Sequence, residues 1–255
     1  MTSAPAPVTW PRVAAAYDPP AQTALGMILL ATDRASHDDV RAFLPPDVCL
    51  YSTRIPMDVV ATPATLAAME AHLEAGARVL VPGAPLHAIG FSCTSGTVAI
   101  GPDVVRERIG AARPGVPVAN PVDAAADGLR ALGATRIALL VPYLEPAAEL
   151  IHGYLAGQGF EIGARATFDL DGDPEMNRVS TAAIGDAAAA VVAAAGAVDA
   201  VFISCTGLRA ARLIEPLERR LGLPVVTSNQ AHAWRLLRLA GRTDAVAGGG
   251  RLLAR

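Results

Sequence analysis

Short apolar runs alternate along the chain with longer segments that are rich in alanine. The apolar runs predict eight strands, at residues 25–31, 48–55, 87–93, 116–119, 135–142, 159–167, 199–205 and 223–227. The segments between them, such as TPATLAAMEAHLEAGA and VSTAAIGDAAAAVVAAAGA, consist of good helix formers with periodic apolar positions. Strands that are apolar along most of their length and alternate with helices predict an α/β fold, with parallel sheets that helices cover on both faces.

An internal repeat divides the chain into two similar halves. The segment GVPVANPVDAAADGLRALG at 115–133 aligns with GLPVVTSNQAHAWRLLRLA at 222–240. The tripeptide Ser-Cys-Thr also occurs twice, around Cys93 and around Cys205, each time at the end of a predicted strand. A repeat of this length is typical of duplicated lobes rather than of a solenoid. We therefore predict a flexible N-terminal tail over 1–20, a first lobe over 21–120 and 228–255, and a second lobe over 121–227.

Composition narrows the classes of function. The net charge of −3 gives no reason to expect nucleic acid or an anionic membrane as a partner. The chain contains no lysine, which excludes enzymes that form a Schiff base on a lysine side chain. No apolar run approaches the roughly 20 residues of a membrane helix, and the N-terminus has no apolar region typical of a signal peptide. With three cysteines and no disulfide spacing, we expect a cytoplasmic protein with reduced thiols.

The two Ser-Cys-Thr turns are the strongest candidates for chemistry. In open α/β sheets, ligands bind beyond the carboxyl ends of the strands. If the two lobes face each other, Cys93 and Cys205 enter one cleft from opposite sides, with sulfurs roughly 6–9 Å apart, and flank one carbon of a substrate. Each turn is also expected to open a helix, whose free N–H groups favour a carboxylate and lower the pKa of a cysteine. The residues alone leave open whether these cysteines are reactive or simply buried.

The remaining candidate side chains are weaker. The five histidines have no metal-ligand spacing, so no metal site is predicted. We expect His87 to be buried at the far end of its strand, whereas His232 could approach the cleft. Asp171 and Asp173, in DLDGDPE, are expected in a solvated loop. A cysteine hydrolase that pairs Cys93 with a histidine is an alternative, although no histidine lies in a suitable register.

Six motifs carry a family resemblance. They are CTSGT at 93–97, PGVPVANP at 114–121, VPY at 141–143, ISCTGLR at 203–209, LPVVTSNQAHAW at 223–234 and GGGRLL at 248–253. Together they resemble the aspartate/glutamate racemase superfamily, in particular the branch that contains maleate cis-trans isomerase and arylmalonate decarboxylase. LATD at 30–33 and SNQA at 228–231 are most similar to the ectoine-utilisation protein EutA. The resemblance spans residues 20–255 and implies two pseudo-symmetric lobes, each a four-stranded parallel sheet flanked by helices, with cofactor-independent chemistry in the cleft between them.

The resemblance also implies roles for individual residues. Cys93 would act as nucleophile or base and Cys205 as proton donor or acceptor, in an isomerase or racemase that acts on a small carboxylate. The positions that match substrate contacts in this branch are Thr94, Ser95, Tyr143, Asn177, Thr206 and Gly207. Because arylmalonate decarboxylases keep only the second cysteine, a decarboxylase that uses Cys205 is the alternative. An inactive small-ligand-binding protein is an alternative of another class, and we expect a homo-oligomer, either a dimer or a tetramer.

Asp33 is the substrate-binding position that departs from the family pattern. Maleate isomerases carry an asparagine there, and an ionised aspartate would repel a substrate carboxylate. Three explanations remain open from the sequence. Asp33 is protonated, or the substrate presents an amine or another donor, or Asp33 forms an ion pair with Arg34 or Arg54.

Overall fold

The computed structural model of the protein describes residues 9–18 and 23–254. These residues form eight strands, twelve α-helices and one 3-10 turn, Ala211–Leu213. The strands are β1 (Thr23–Leu30), β2 (Val48–Ile55), β3 (Ala88–Phe91), β4 (Val118–Ala119), β5 (Arg136–Tyr143), β6 (Glu161–Leu170), β7 (Ala200–Ile203) and β8 (Val225–Thr227). The helices are α1 (Ser36–Arg41), α2 (Pro63–Ala68), α3 (Glu70–Arg78), α4 (Thr94–Ile100), α5 (Pro102–Ala112), α6 (Pro121–Ala131), α7 (Glu145–Gly157), α8 (Asp173–Met176), α9 (Thr181–Ala195), α10 (Ile214–Leu221), α11 (Ser228–Leu239) and α12 (Gly250–Leu253).

The strands form two parallel sheets with the same strand order. The first sheet is ordered β2-β1-β3-β4 and the second β6-β5-β7-β8, so the two halves of the chain repeat one topology. The α/β class and the two equivalent four-stranded sheets are therefore confirmed. All eight predicted strands occur, and their ends differ from the prediction by at most three residues.

Burial follows the position of each strand in its sheet. All eight residues of β1 are buried, as are seven of eight in β5, because these central strands have helices on both faces. The edge strands β2 and β6 carry partly exposed side chains along most of their length. The buried apolar residues of both sheets belong to one continuous core.

The repeated segments become two strand–helix units that meet at the centre of the molecule. Asn120 caps α6 by accepting a hydrogen bond from the Asp123 N–H at 2.8 Å, and Thr227 caps α11 by accepting one from the Gln230 N–H at 3.2 Å. Helices α6 and α11 pack against each other, and α11 also contacts β3, β4 and α1 of the first sheet. The division of the chain into lobes at 120 and 227 remains a prediction.

The described residues before β1 lie outside this core. Residues 9–18 are exposed and have no regular secondary structure, and the rest of the tail predicted over 1–20 lies outside the described residues. Within 9–18 and 23–254, the structure has no helix with the length and apolar character required to cross a membrane.

Candidate active site

The first Ser-Cys-Thr turn places Cys93 just beyond β3, as the N-cap residue of α4. The thiol is buried, and its Sγ accepts a hydrogen bond from the backbone N–H of Gly96 at 3.2 Å. A side chain on Gly96 has no room, because a Cβ atom there would lie 2.8 Å from the sulfur and 2.4 Å from the terminal methyl group of Met69. This turn therefore holds the sulfur at the start of a helix, as expected from the sequence.

The second turn places Cys205 just beyond β7 in a backbone conformation that L-residues rarely adopt. Its φ angle is +101°. The Sγ atom accepts a hydrogen bond from the N–H of Gly207 at 3.2 Å, and the N–H of Leu208 also stabilises its thiolate form. The expectation that this turn opens a helix is wrong, since α10 begins only at Ile214. Cys205 is instead held in a tight, strained turn, an arrangement that is frequent at functional sites.

Ser228, the first residue of α11, joins the two turns. Its hydroxyl oxygen accepts hydrogen bonds from the Thr94 hydroxyl at 2.9 Å and from the Cys205 N–H at 3.0 Å. A second link runs from the Thr206 hydroxyl to the backbone carbonyl of Ser92, at 3.2 Å. Thr94 and Thr206 therefore lie beside the cysteines, but their hydroxyl protons are already donated to Ser228 and to the Ser92 carbonyl. Their proposed contacts with a substrate remain predictions.

The sequence interpretation missed Ser228. The available signal was its position in LPVVTSNQAHAW, directly after the capping residue of the second repeat. The equivalent position in the first repeat is Pro121, which has no side-chain donor or acceptor. The repeat alone thus gave no reason to expect a hydroxyl that bridges both cysteine turns.

Tyr143, the last residue of β5, is adjacent to both cysteine turns. Its buried hydroxyl is close enough to the Cys205 thiol and the Ser95 hydroxyl for both groups to shift its pKa. The Ser95 hydroxyl in turn lies 3.9 Å from the Cys93 sulfur. The structure thus brings the two thiols, Ser95 and Tyr143 together, whereas the predicted sulfur–sulfur separation remains a prediction.

Both thiols are held in their protonated form at neutral pH. Burial and the negative charge of Asp173 raise the pKa of Cys93 far above its ordinary value. The same two causes raise the pKa of Cys205 to about 12, although the Tyr143 hydroxyl and the Gly207 N–H favour its thiolate. The expectation that the helix ends lower the cysteine pKa is therefore wrong, because loss of hydration outweighs the N–H groups.

Asp33 follows β1, and its carboxylate is buried, with 5% of the residue exposed. Its Oδ1 atom accepts hydrogen bonds from the N–H groups of Ala35 and Ser36 at 2.8 and 3.0 Å. Its Oδ2 atom is buried and has no hydrogen-bond partner among the described residues. The ion-pair explanation is wrong for this part of the chain. Arg54 donates to the backbone carbonyl of Asp33 at 2.7 Å rather than to its carboxylate, and neither carboxylate oxygen is bonded to the Arg34 side chain.

The segment 171–177 of the second half docks on the first half of the chain. Gly172 forms an antiparallel bridge with Val60, and the Ala61 N–H donates to the carbonyl of Asp171 at 2.7 Å. The Asn177 side chain accepts a hydrogen bond from the Arg34 N–H at 3.2 Å, which places it beside Asp33. The expectation of a solvated loop therefore holds for the exposed Asp171 but is wrong for the buried Asp173.

Asp173 is the main site residue that the sequence interpretation missed. It is 7% exposed, and its Oδ2 atom accepts a hydrogen bond from the Thr32 hydroxyl. A Cβ atom on Gly207 would lie 3.6 Å from the Asp173 Oδ1 atom and 3.4 Å from the Cys205 sulfur. The Asp173 carboxylate and the Cys205 thiol therefore border the same glycine. Burial raises the pKa of Asp173, and the charge of Asp33 raises it further, while the Thr32 hydrogen bond opposes the rise. Two buried carboxylates therefore adjoin the cysteine turns.

The histidines do not contribute to this arrangement. His232 is buried against β3, where a Cβ atom on Gly90 would lie 2.1 Å from its Nε2, and burial lowers its pKa to about 3. His87 is exposed rather than buried, and its Nδ1 accepts a hydrogen bond from the Ala24 N–H at 3.1 Å. Among the described residues, no group of three or more His, Cys, Asp or Glu side chains is arranged to hold a metal ion.

Comparisons with known proteins agree with this architecture. The family model for arylmalonate decarboxylase matches residues 86–253. A maleate isomerase from Nocardia farcinica is 33% identical over 211 residues, which cover 80% of this chain and 82% of that protein. An arylmalonate decarboxylase from Bordetella bronchiseptica is 37% identical over 127 residues, covering 50% of this chain and 53% of the relative.

A solved structure shares the fold over nearly the whole chain. A cysteine-to-serine mutant of the maleate cis-trans isomerase from N. farcinica, with a covalently bound succinylcysteine intermediate, has a TM-score of 0.83 and 27% identity. The similarity covers 91% of this chain and 98% of that structure. The region that matches the family model includes both cysteine turns, Tyr143 and the 171–177 segment. The chain belongs to the arylmalonate decarboxylase family.

Proposed function

We propose that this protein is a cofactor-independent isomerase or racemase that acts on a small carboxylate, with Cys93 as nucleophile or base and Cys205 as proton donor or acceptor. The observation that carries the proposal is the convergence of the two Ser-Cys-Thr turns on Tyr143 and Ser228. A protein that only binds a ligand does not require two buried thiols around one hydroxyl group.

In the isomerase form of the proposal, the Cys93 thiolate adds to one carbon of a carbon–carbon double bond conjugated to a carboxylate. A C–S bond forms, and the neighbouring carbon takes a proton from the Cys205 thiol. Rotation about the resulting single bond is followed by the reverse steps, in which the Cys205 thiolate removes the proton and the Cys93 thiolate leaves. The covalent succinylcysteine described for the N. farcinica enzyme is the kind of adduct that this sequence of steps requires.

In the racemase form, the Cys93 thiolate removes the proton from the carbon next to the carboxylate and the Cys205 thiol supplies one on the opposite face. Both forms require one thiolate and one thiol. Because burial keeps both cysteines protonated, one thiol has to release its proton to water when the substrate binds. The N–H groups of Gly96 and Gly207 and the hydroxyl of Tyr143 are the donors that stabilise a thiolate.

A decarboxylase is the second candidate function, favoured by the likeness to the B. bronchiseptica enzyme. In that reaction Cys205 alone would deliver a proton to the carbanion left by loss of carbon dioxide, and Cys93 would be dispensable. The cysteine hydrolase has no support from the described histidines, since neither His232 nor His87 is bonded to a cysteine.

Finer parts of the proposal concern the setting of the enzyme. We propose a role in ectoine breakdown on the basis of LATD at 30–33 and SNQA at 228–231, which resemble the ectoine-utilisation protein EutA. We also propose a homo-oligomer in the cytoplasm, where both thiols would stay reduced. Light scattering of the purified protein tests the oligomer, and growth of a deletion strain on ectoine tests the metabolic role.

Cysteine variants test the proposal directly. Maleate and phenylmalonate are incubated in D2O with the wild-type protein and with Cys93→Ala, Cys205→Ala and Cys49→Ala, and products and deuterium incorporation are followed by proton NMR. An isomerase or racemase loses turnover and exchange in both of the first two variants and retains them in Cys49→Ala, because Cys49 lies on the edge strand β2.

The other outcomes separate the alternatives. Full activity in Cys93→Ala together with loss in Cys205→Ala favours the decarboxylase. The same assay is run with alanine, aspartate, glutamate and the matching carboxylates propionate, succinate and glutarate. If none of these ligands, nor maleate or phenylmalonate, shows cysteine-dependent turnover or exchange, the proposed reaction is refuted and a binding protein is favoured.

A further inference from the structure

The charged groups buried next to the cysteine turns are all negative. Among the described residues, the charged side chains with the least exposure are Asp33, Asp173 and Glu218, and no arginine belongs to this set. Glu218 lies elsewhere and accepts hydrogen bonds from the backbone N–H groups of Val225 and Arg251. Asp33 and Asp173 therefore adjoin the proposed site without a buried cation to balance them.

The hydrogen bonds of these two carboxylates leave acceptor atoms unused. The Thr32 hydroxyl has a single proton, which it donates to Oδ2 of Asp173. The Ala35 and Ser36 N–H groups are both directed to Oδ1 of Asp33, so its Oδ2 has no donor among the described residues. A buried carboxylate oxygen without a donor is unfavourable, which favours ligands that supply N–H groups and positive charge at this position.

We propose that the substrate carries an ammonium or similar cationic N–H group in addition to its carboxylate, and that Asp33 and Asp173 bind this group. The inference rests on the proposed function, because it concerns the substrate of the same site. Oδ2 of Asp33 would accept one N–H bond, and Oδ1 of Asp173 would accept another beside Cys205. The substrate class is thus a zwitterionic amino acid rather than a plain dicarboxylate such as maleate.

The side chains at the site favour an organic cation over a metal ion. No set of three or more His, Cys, Asp or Glu side chains in the described residues is arranged to hold a metal. Two carboxylates with one free oxygen each can accept two of the three N–H bonds of an ammonium group, which needs fewer charged partners than a divalent ion.

A bound cation would also act on the thiols. The charge of Asp173 raises the pKa of both Cys93 and Cys205. An ammonium group paired with Asp173 offsets that charge, so the thiolate forms more readily when the correct substrate is present. Recognition of the substrate and activation of the nucleophile would then depend on the same carboxylate.

Matched ligand pairs test the inference. Each pair consists of an amino acid and the carboxylate that lacks its amine: alanine and propionate, aspartate and succinate, glutamate and glutarate, with both enantiomers of each amino acid. Binding to the wild-type protein is measured by isothermal titration calorimetry. We expect at least one amino acid to bind about tenfold or more tightly than its partner, the effect of one charge-assisted hydrogen bond.

Isosteric variants locate the effect. Asp33→Asn and Asp173→Asn keep the acceptor oxygens that bond Ala35, Ser36 and Thr32, and replace the other oxygen with an N–H donor. Each should reduce the preference for the amino acid by about tenfold or more. Asp171→Asn is the matched control, because Asp171 is exposed in the same segment, and it should leave the preference unchanged.

The outcomes distinguish this inference from the proposed function. Equal or tighter binding of the carboxylate in every pair, absence of binding by all of the amino acids, or an amino-acid preference that survives both variants overturns the ammonium site. Cysteine-dependent turnover of maleate would leave the proposed function standing in that case. An amino-acid preference that needs Asp33 and Asp173, without cysteine-dependent turnover or proton exchange of any of these ligands, maleate or phenylmalonate, supports the ammonium site and refutes the proposed reaction.

Discussion

Replacing Cys205 with glycine should yield a more stable protein than replacing it with alanine. The backbone at Cys205 has a φ angle of +101°, a region that costs an L-residue about 1–3 kcal/mol. Alanine keeps this strain and glycine relieves it, whereas the greater freedom of glycine in the unfolded chain costs about 0.4–1 kcal/mol. Both variants lose the sulfur and its contacts equally, so the net difference should favour glycine by about 1 kcal/mol.

The pseudo-symmetry of the fold supplies a matched control. Cys93 occupies the equivalent place after β3, and its φ angle is −147°, which any L-residue adopts without strain. Cys93→Gly should therefore be less stable than Cys93→Ala, by about 0.5–1 kcal/mol. Urea unfolding of the four variants, followed by far-UV circular dichroism, measures both differences from the transition midpoints.

The sign of the two differences decides the result. If the Cys205→Ala protein is as stable as the Cys205→Gly protein, or more stable, the strained conformation is refuted. The same glycine preference at both cysteines would also contradict it, because the effect would then be unrelated to the backbone angle. The result has a functional meaning, since the strained turn is what directs the Cys205 sulfur toward the Gly207 N–H.

Three further predictions concern the surroundings of the cysteines. Tyr143→Phe removes a donor to the Cys205 thiolate, so the pKa of Cys205 should rise further, and its alkylation by iodoacetamide, followed by mass spectrometry, should slow at every pH. Asp173→Asn should increase the free energy of unfolding at pH 7, because folding raises the pKa of Asp173 and its ionised form therefore destabilises the folded protein. Urea titrations should show that this gain vanishes below the ordinary pKa of 3.8, where the carboxyl is protonated in both states. Gly90→Ala should destabilise the protein by about 1–3 kcal/mol, because the Cβ atom of the alanine would lie 2.1 Å from the His232 ring. Adding His232→Ala removes this clash, so thermal unfolding should show that the double variant regains part of the lost stability.

The sequence by itself determined the strands, the class of fold and the repeat. Continuous apolar runs separated by alanine-rich helices leave few alternatives to covered parallel sheets, so all eight strands were predicted within three residues of their observed ends. The repeated strand–helix segments likewise predicted two equivalent sheets. The physical reason, for the central strands, is that burial on both faces of a strand requires apolar or small side chains at nearly every position, which is visible in the sequence.

The sequence also indicated the two cysteines, but not the state of their thiols. The same Ser-Cys-Thr tripeptide leads to a helix at Cys93 and to a strained turn at Cys205, where the Cys205 N–H donates to the Ser228 hydroxyl at the start of α11. The pKa of each thiol depends on how deeply the thiol is buried and on how close it is to the charge of Asp173. Neither property is encoded in the residues next to the cysteine.

Only the tertiary structure decided the environment of Asp33, Asp173 and Ser228. An aspartate in DLDGDPE is predicted to be solvated, but Asp173 is buried in the 171–177 segment, which pairs with Val60 from the other half of the chain. Ser228 acquires its role from Thr94 and Cys205, which are far away in sequence and reach it from opposite sheets. Side-chain polarity is a local property of the chain, whereas loss of hydration and the choice of hydrogen-bond partner are set where the two sheets meet.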